Sequence, residues 1–171
     1  MRNAQIRQFL GLTRTISDDG HLRVTFHHNL YENVTQRLPR VRFGEVHVYN
    51  NYYKFTNQFN YPFLYAWGVG YSSKIYAQNN YFDFAAPVDP AQIIGVYKGT
   101  AIHAEGTMMN GPSRHNQVDV VAAYNAAHPD QPLSSDVGWV PTLYSHINPA
   151  ESVPAIVREH AGAGKLHDSE R

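Results

Sequence analysis

The chain has 171 residues, 43% of them hydrophobic and 16% charged, enough for one domain with a sizeable core and too apolar for a disordered tail. Its 14 Lys plus Arg balance 14 Asp plus Glu, which excludes the long-range field that draws a protein to nucleic acid or to an anionic membrane. With no cysteine, disulfide scaffolds, thiolate zinc sites and cysteine nucleophiles fall away together, and chemistry is left to Arg, His, Asp, Glu, Lys, Tyr or Ser.

The first residues carry Arg2, Asn3, Gln5, Arg7 and Gln8 where a secretory leader would need an apolar run, so no signal peptide is read there. Three segments then repeat one pattern: Val24-Thr-Phe-His-His-Asn-Leu-Tyr31, Val46-His-Val-Tyr-Asn-Asn-Tyr-Tyr53 and Ile75-Tyr-Ala-Gln-Asn-Asn-Tyr-Phe82. Each is a β-rich run ending in Asn and an aromatic pair. Aligned on Asn29, Asn51 and Asn80, the copies lie 22 and 29 residues apart, the period of a solenoid coil with one loop insertion. Stacked coils would bring equivalent asparagines within about 4.8 Å of one another, each amide donating to one coil and accepting from the other. Three unrelated hairpin turns would use Asn equally well, but give no reason for the aromatics to repeat in register. The expectation is an all-β parallel solenoid with an asparagine ladder at Asn29, Asn51 and Asn80. Tyr49, Tyr52, Tyr53, Tyr76 and Tyr81 follow the repeat as core and coil-stacking residues.

The uncharged run over residues 55–73 holds Asn57, Asn60, Pro62, Gly68 and Gly70, which a lipid-exposed helix would not carry at that density. A Pro-rich connection over residues 85–90 marks the end of the repeat, and the solenoid is expected to end nearby. Further on, Val118, Val121, Ala122 and Tyr124 fall on one side of a helix predicted over 117–127, with Pro129 beyond it. A second helix is predicted over 152–160, with Ser152 as N-cap, Pro154 in the first turn and Gly162 past the end. Coils and loops are assigned to about residues 12–112, and the remaining tail to a cap that packs on the solenoid.

Arg23, Arg37, Arg40 and Arg42 lie between the first two repeats or just ahead of them. In Arg37-Leu-Pro-Arg-Val-Arg42, Pro39 stiffens the loop, and Arg40 and Arg42, two apart in an extended strand, share a face. No acid stands between Arg37 and Arg42; the nearest are Glu32 and Glu45. Planar guanidinium forks suit carboxylates, which makes a carboxylate-rich chain the candidate ligand; a solvated surface loop is the plain alternative. His27, His28 and His47 invite a metal reading, yet adjacent residues on a strand should diverge, so a structural role is favoured and no metal site is assigned.

Val24-Thr-Phe-His-His-Asn-Leu-Tyr, Gln36-Arg-Leu-Pro-Arg-Val-Arg-Phe-Gly and Val46-His-Val-Tyr-Asn-Asn-Tyr-Tyr closely resemble the pectate lyases of polysaccharide lyase family 1. Trp67-Gly-Val-Gly-Tyr-Ser-Ser-Lys-Ile-Tyr-Ala-Gln-Asn-Asn and the ending Ala161-Gly-Ala-Gly-Lys-Leu resemble the secreted bacterial members, so the resemblance runs over residues 11–166. It implies a right-handed parallel β-helix that cleaves polygalacturonate by β-elimination, giving 4,5-unsaturated oligogalacturonides with the help of calcium. It places the base at Arg37 and the substrate carboxylate on Arg42, with Arg40 as a helper in substrate binding. A guanidinium ordinarily stays charged, so the neighbouring cations, which favour the uncharged form, belong to that chemistry. Hydrolases of this fold use clustered aspartates, and no Asp or Glu pair stands beside the arginines.

Family members carry calcium carboxylates and a substrate-binding lysine upstream of the first repeat. Here Ile6, Arg7 and Gln8 stand immediately before Phe9-Leu-Gly11, Arg7 being a partial substitute, and the adjacent acids Asp18 and Asp19 read as turn-formers. The expectation is the C-terminal portion of a longer, secreted, monomeric enzyme whose N-terminal coils, signal peptide and calcium ligands lie upstream of this chain, which alone would be inactive. A β-helix that binds polyuronate without cleaving it, and an inactive truncated fragment, are the alternatives.

Overall fold

The computed structural model describes residues 9–10, 19–58, 60–162 and 165; Arg7, Gly11 and Asp18 lie outside the described residues. Its strands are β1 (Phe9–Leu10), β2 (Leu22–His27), β3 (Leu30–Glu32), β4 (Arg40–Val41), β5 (Gly44–Tyr49), β6 (Tyr52–Phe55), β7 (Trp67–Gly70), β8 (Lys74–Gln78), β9 (Tyr81–Phe84), β10 (Ile94–Tyr97), β11 (His103–Glu105) and β12 (Met108–Met109). They form three four-stranded parallel sheets, β1-β4-β7-β10, β2-β5-β8-β11 and β3-β6-β9-β12. The chain therefore visits the three sheets in rotation, and each strand pairs with the one three places further on.

The sheets bury one another's inner faces, which is how a parallel sheet avoids exposing an apolar side. Val24, Val46 and Ile75 are partners across β2, β5 and β8, as Phe26, Val48 and Ala77 are on the same face. Val41 and Val69 pair across β4 and β7, and both are fully buried. The third wall is aromatic: Tyr31, Tyr53 and Phe82 stack with centroids 5.1 and 4.3 Å apart. Trp67 stands edge-on to the last two, and its Nε1 donates to Tyr53 Oη at 3.1 Å. Burying each such ring contributes about 2–3 kcal/mol before entropy is set against it.

One bend recurs between the second and third sheets. His28, Asn50, Asn79 and Gly106 take left-handed φ angles of 53, 50, 48 and 64°, a region that Asn and Gly enter at least cost. The residue after each is buried or half-buried: Asn29, Asn51, Asn80 and Thr107. Asn29 Nδ2 donates to Asn51 Oδ1 at 2.9 Å, and Asn51 Nδ2 to Asn80 Oδ1 at 3.2 Å. Asn51 Nδ2 and Asn80 Nδ2 also donate back to Phe26 O and Val48 O at 2.9 and 2.8 Å, so these two rungs satisfy both a backbone carbonyl and a neighbouring rung.

The stack does not end near the Pro-rich connection. β10 to β12 add a coil on which His103 pairs with Tyr76 and Met109 with Phe82. Its Gly106-Thr107-Met108-Met109 lacks the Asn and the aromatic pair, yet supplies the same bend and inward apolar residue. Beyond it, α1 (Val120–Ala127) starts three residues later than the periodicity predicts. Asp119 caps it, its carboxylate accepting from Ala122 N at 2.9 Å, while Gln117 is bridged to Met108. α2 (Val153–His160) follows a 3-10 turn, Ala150–Ser152. Ser152 stands at its cap position, but the hydroxyl donates to Pro149 O at 2.7 Å instead of capping the helix.

The helices cover different surfaces. Val120, Val121 and Tyr124 of α1 join Ile93, Ile102 and Leu133 in the main core, closing the β10–β12 end. Val153 and Val157 of α2 pack with Tyr52, Tyr81 and Met108 on the outside of the third sheet. The repeated tyrosines are thus divided: Tyr53 lines the interior, Tyr52 and Tyr81 lie under α2, and Tyr49 and Tyr76 stand on the outer face of the second sheet. Among the described residues no helix is long and apolar enough to cross a membrane.

Candidate active site

Because Val41 and Val69 point inward, Arg40, Arg42, Gly68 and Gly70 face outward on the first sheet. Arg40 is the Cα partner of Gly68. A Cβ on Gly68 would lie 2.7 Å from Arg40 Cγ, and one on Gly70 would lie 2.7 Å from Arg42 Cγ. The two glycines therefore open a trough in which both arginine stems lie across β7. The Arg40 guanidinium reaches the next coil and sits 3.7 Å above the Tyr97 ring, a cation–π contact that pins it. Tyr97 in turn packs against Tyr65, with centroids 5.3 Å apart.

Arg37 precedes β4 in a left-handed conformation, φ 67°, and the Leu38-Pro39 peptide is cis. The conformation is held from outside. Leu64 N donates to Thr35 O at 2.8 Å and Leu38 N to Ala66 O at 2.7 Å, while Leu38 is fully buried. Arg37 Nε is itself buried with no hydrogen-bond partner. Tyr65 lies beside it: burial pushes its phenol up to about 12, Tyr97 adds to this, and Arg37 and Arg40 pull the other way. A phenol so placed stays neutral and brings no negative charge to the arginines.

Among the described residues no carboxylate lies within salt-bridge range of Arg37 or Arg42. The acids nearest in sequence are committed elsewhere: Glu45 to Arg23 and Lys74 at 2.7 and 3.1 Å, and Glu32 to Lys54 at 2.8 Å. Burial pushes the Glu45 carboxyl up, but the hydrogen bonds from Lys74 and Arg23 outweigh it and hold the group low. What remains on the first sheet is a set of half-buried guanidinium groups suited to external carboxylates. Arg40 and Arg42 share its face, and Arg37 stands at its edge. Tyr65, Tyr97, Gly68 and Gly70 went unread in the sequence as site residues. The outward glycines in Trp67-Gly-Val-Gly were the available signal, since glycine within a strand marks close approach.

The histidines do not diverge. His28 occupies the left-handed bend rather than the strand, which brings its Nδ1 2.9 Å from that of His27. Its Nε2 donates to Asn148 Oδ1 at 2.9 Å, and His47 Nε2 donates to Gln78 Oε1 at 2.8 Å. Among the described residues no group of three or more His, Asp or Glu could hold a metal ion. The arginine face, being cationic, offers calcium no ligand set of its own.

Three parallel sheets entered in rotation, with guanidinium groups laid along one flank, define a coil-stack protein with a cationic face. The chain belongs to the pectate lyase family, whose model matches residues 9–166. It is 50% identical over 153 residues to a pectate lyase of Bacillus subtilis (strain 168), covering 88% of this chain and 34% of that protein. Against pectate lyase D of Dickeya chrysanthemi it is 33% identical over 159 residues, 87% of this chain and 37% of the relative. Among solved structures, a thermostable pectate lyase superposes with TM-score 0.85 at 49% identity, over 93% of this chain and 39% of its own. A pectate lyase bound to hexasaccharide does so with TM-score 0.80 at 46% identity, over 93% and 38%. The chain thus spans about a third of the length of the relatives it matches.

Proposed function

We propose that these coils carry the arginine face of a right-handed parallel β-helix pectate lyase, secreted and monomeric, that cleaves polygalacturonate by β-elimination. The observation that carries this reading is the pair Arg37 and Arg42, half-buried and without a carboxylate neighbour among the described residues. A relative bound to a hexasaccharide, 46% identical, supports a sugar chain as the occupant.

Arg42 holds a uronate carboxylate in its planar fork. Arg37, in its uncharged form, accepts the C5 proton. The C5–H electron pair becomes the C4=C5 double bond, the C4–O bond breaks, and the glycosidic oxygen leaves with its electrons and takes a proton from water. Arg40, pinned over Tyr97, keeps a second positive charge beside the reacting uronate, whose carboxylate gathers negative charge as the proton leaves. Calcium, which the family resemblance implies, would neutralise the same carboxylate; the described residues do not fit it, and no step above depends on it.

A chimera tests the reading: the matched segment of the Bacillus subtilis relative is replaced by residues 9–166, and unsaturated product is followed by ultraviolet absorbance. Arg37→Ala is expected to lower the rate about 100-fold or more, the usual worth of a positioned base, with circular dichroism unchanged. Near-normal turnover would remove Arg37 from the mechanism. Binding of polygalacturonate without unsaturated product would favour a non-catalytic binding module.

A further inference from the structure

The outer face of the second sheet is built unlike that of the first. Its outward positions form rows across the coils: Arg23, Glu45 and Lys74; then His47, Tyr76 and His103; then His27, Tyr49, Gln78 and Glu105. In the first row Arg23 and Lys74 share the single Glu45 carboxylate, which leaves one net positive charge there. In the last, His27 stacks on Tyr49 at 4.9 Å and Gln78 Nε2 donates to Glu105 Oε1. In the middle row Tyr76 and His103 stack at 4.0 Å, 21° apart. The segment over residues 134–149 crosses this face and sets Trp139 edge-on to Tyr76, centroids 6.4 Å apart and planes at 87°.

Two aromatic walls at a right angle thus flank an open pocket of about 550 Å³ whose lining includes Tyr76, His103, Ser135, Asp136 and Trp139, within the size range of small-ligand sites. All three rings are partly exposed. Flat ring faces suit the apolar C–H face of a pyranose, and Asp136 and Ser135 suit its hydroxyls. Charge selects the kind of sugar. Asp136 is the charged residue of the lining, Glu105 stands beside His103 at 3.5 Å, and no Arg or Lys lines the cavity. A uronate carboxylate is repelled there, the reverse of its treatment on the arginine face.

We propose that this corner is a second glycan-binding site, specific for a neutral pyranose. It stands independently of the elimination reading. β7 and β8 are joined through residues 71–73, so the two faces lie on neighbouring sheets, and one branched polysaccharide can place uronates on one and neutral sugars on the other.

The chain has two tryptophans, and Trp67 is fully buried, so a ligand-induced change in emission reports Trp139. Titrating the chain with β-1,4-galactotetraose is expected to give a saturable change at millimolar concentration that trigalacturonate neither reproduces nor competes away. Followed by calorimetry, Trp139→Ala should weaken binding at least tenfold and Trp139→Phe should restore most of it, while Arg42→Ala leaves it unchanged. Asp136→Asn keeps the shape and removes the charge, and is expected to narrow the preference for the neutral sugar over trigalacturonate. The absence of a saturable response, or a response to trigalacturonate at equal affinity that Arg42→Ala abolishes, would overturn the proposal. Failure of polygalacturonate cleavage would leave it standing.

Discussion

Asn51 is the middle rung of the bend, bonded to the asparagines of both neighbouring coils. Its Oδ1 accepts from Asn29 N and Nδ2 at 3.1 and 2.9 Å, and its amide donates to Phe26 O, all at a fully buried position. Asn51→Ala is expected to cost about 2 kcal/mol, because it removes the side-chain partner of a part-buried carbonyl and of a part-buried backbone donor at once. Asn29→Ala, at the outer rung, should cost less than half of that; urea midpoints measured side by side decide it. His47 offers a pH test. Burial holds its imidazole below 6.5, the Gln78 hydrogen bond pulls the other way, and His27 adds to the lowering. The unfolded chain takes up that proton near pH 6.5 and the native one refuses it. Its contribution is therefore complete above about pH 6.5 and lost as pH falls toward the folded value. His27, also held low by burial and by His28, acts with the same sign. His47→Gln should flatten the fall in stability between about pH 7 and 5; an unchanged slope would assign it to other groups. Arg37, Arg40 and Arg42 were legible in the sequence because they share one short motif. Tyr65 and Tyr97 were not, because they meet the arginines only through strands a coil away.

At the scale of the element, β7 matters for what it lacks. Gly68→Ala places a methyl 2.7 and 2.8 Å from Arg40 Cγ and Cβ and 3.0 Å from its backbone Cα, so β4 itself must shift: kcat/KM of the chimera should fall by about tenfold or more, and the melting temperature should fall with it. Gly70→Ala strikes the Val41 carbonyl as well as Arg42; backbone cannot yield, and loss of folding is expected. A Gly68→Ala chimera with full activity would show that the Arg40 position is not tied to catalysis. The three coils bearing Asn and paired aromatics were readable from their repeat. The coil after Phe84 falls inside the stretch assigned to coils and loops but carries no copy of the repeat, because Gly-Thr-Met-Met makes the same bend and interior contact from different residues. The start of α1 was misplaced for a local reason: the Asp119 carboxylate takes an amide that periodicity alone leaves available.

For the whole molecule, the ends of the stack set its integrity. α1 closes one end with Tyr124, which is 4% exposed within the main core. Tyr124→Ala should cost about 3 kcal/mol, as for other large aromatics removed from a core. It should also expose the edges of β10 to β12 to self-association; light scattering during a thermal melt reads both effects. If the arginine face breaks the glycosidic bond by elimination, as proposed, no water is added across it. Cleavage of polygalacturonate by the chimera in heavy-oxygen water tests that most directly. The expected products gain no heavy oxygen from the cleavage and have a total mass equal to that of the substrate. One heavy oxygen incorporated per bond cleaved would mean hydrolysis and contradict the elimination reading.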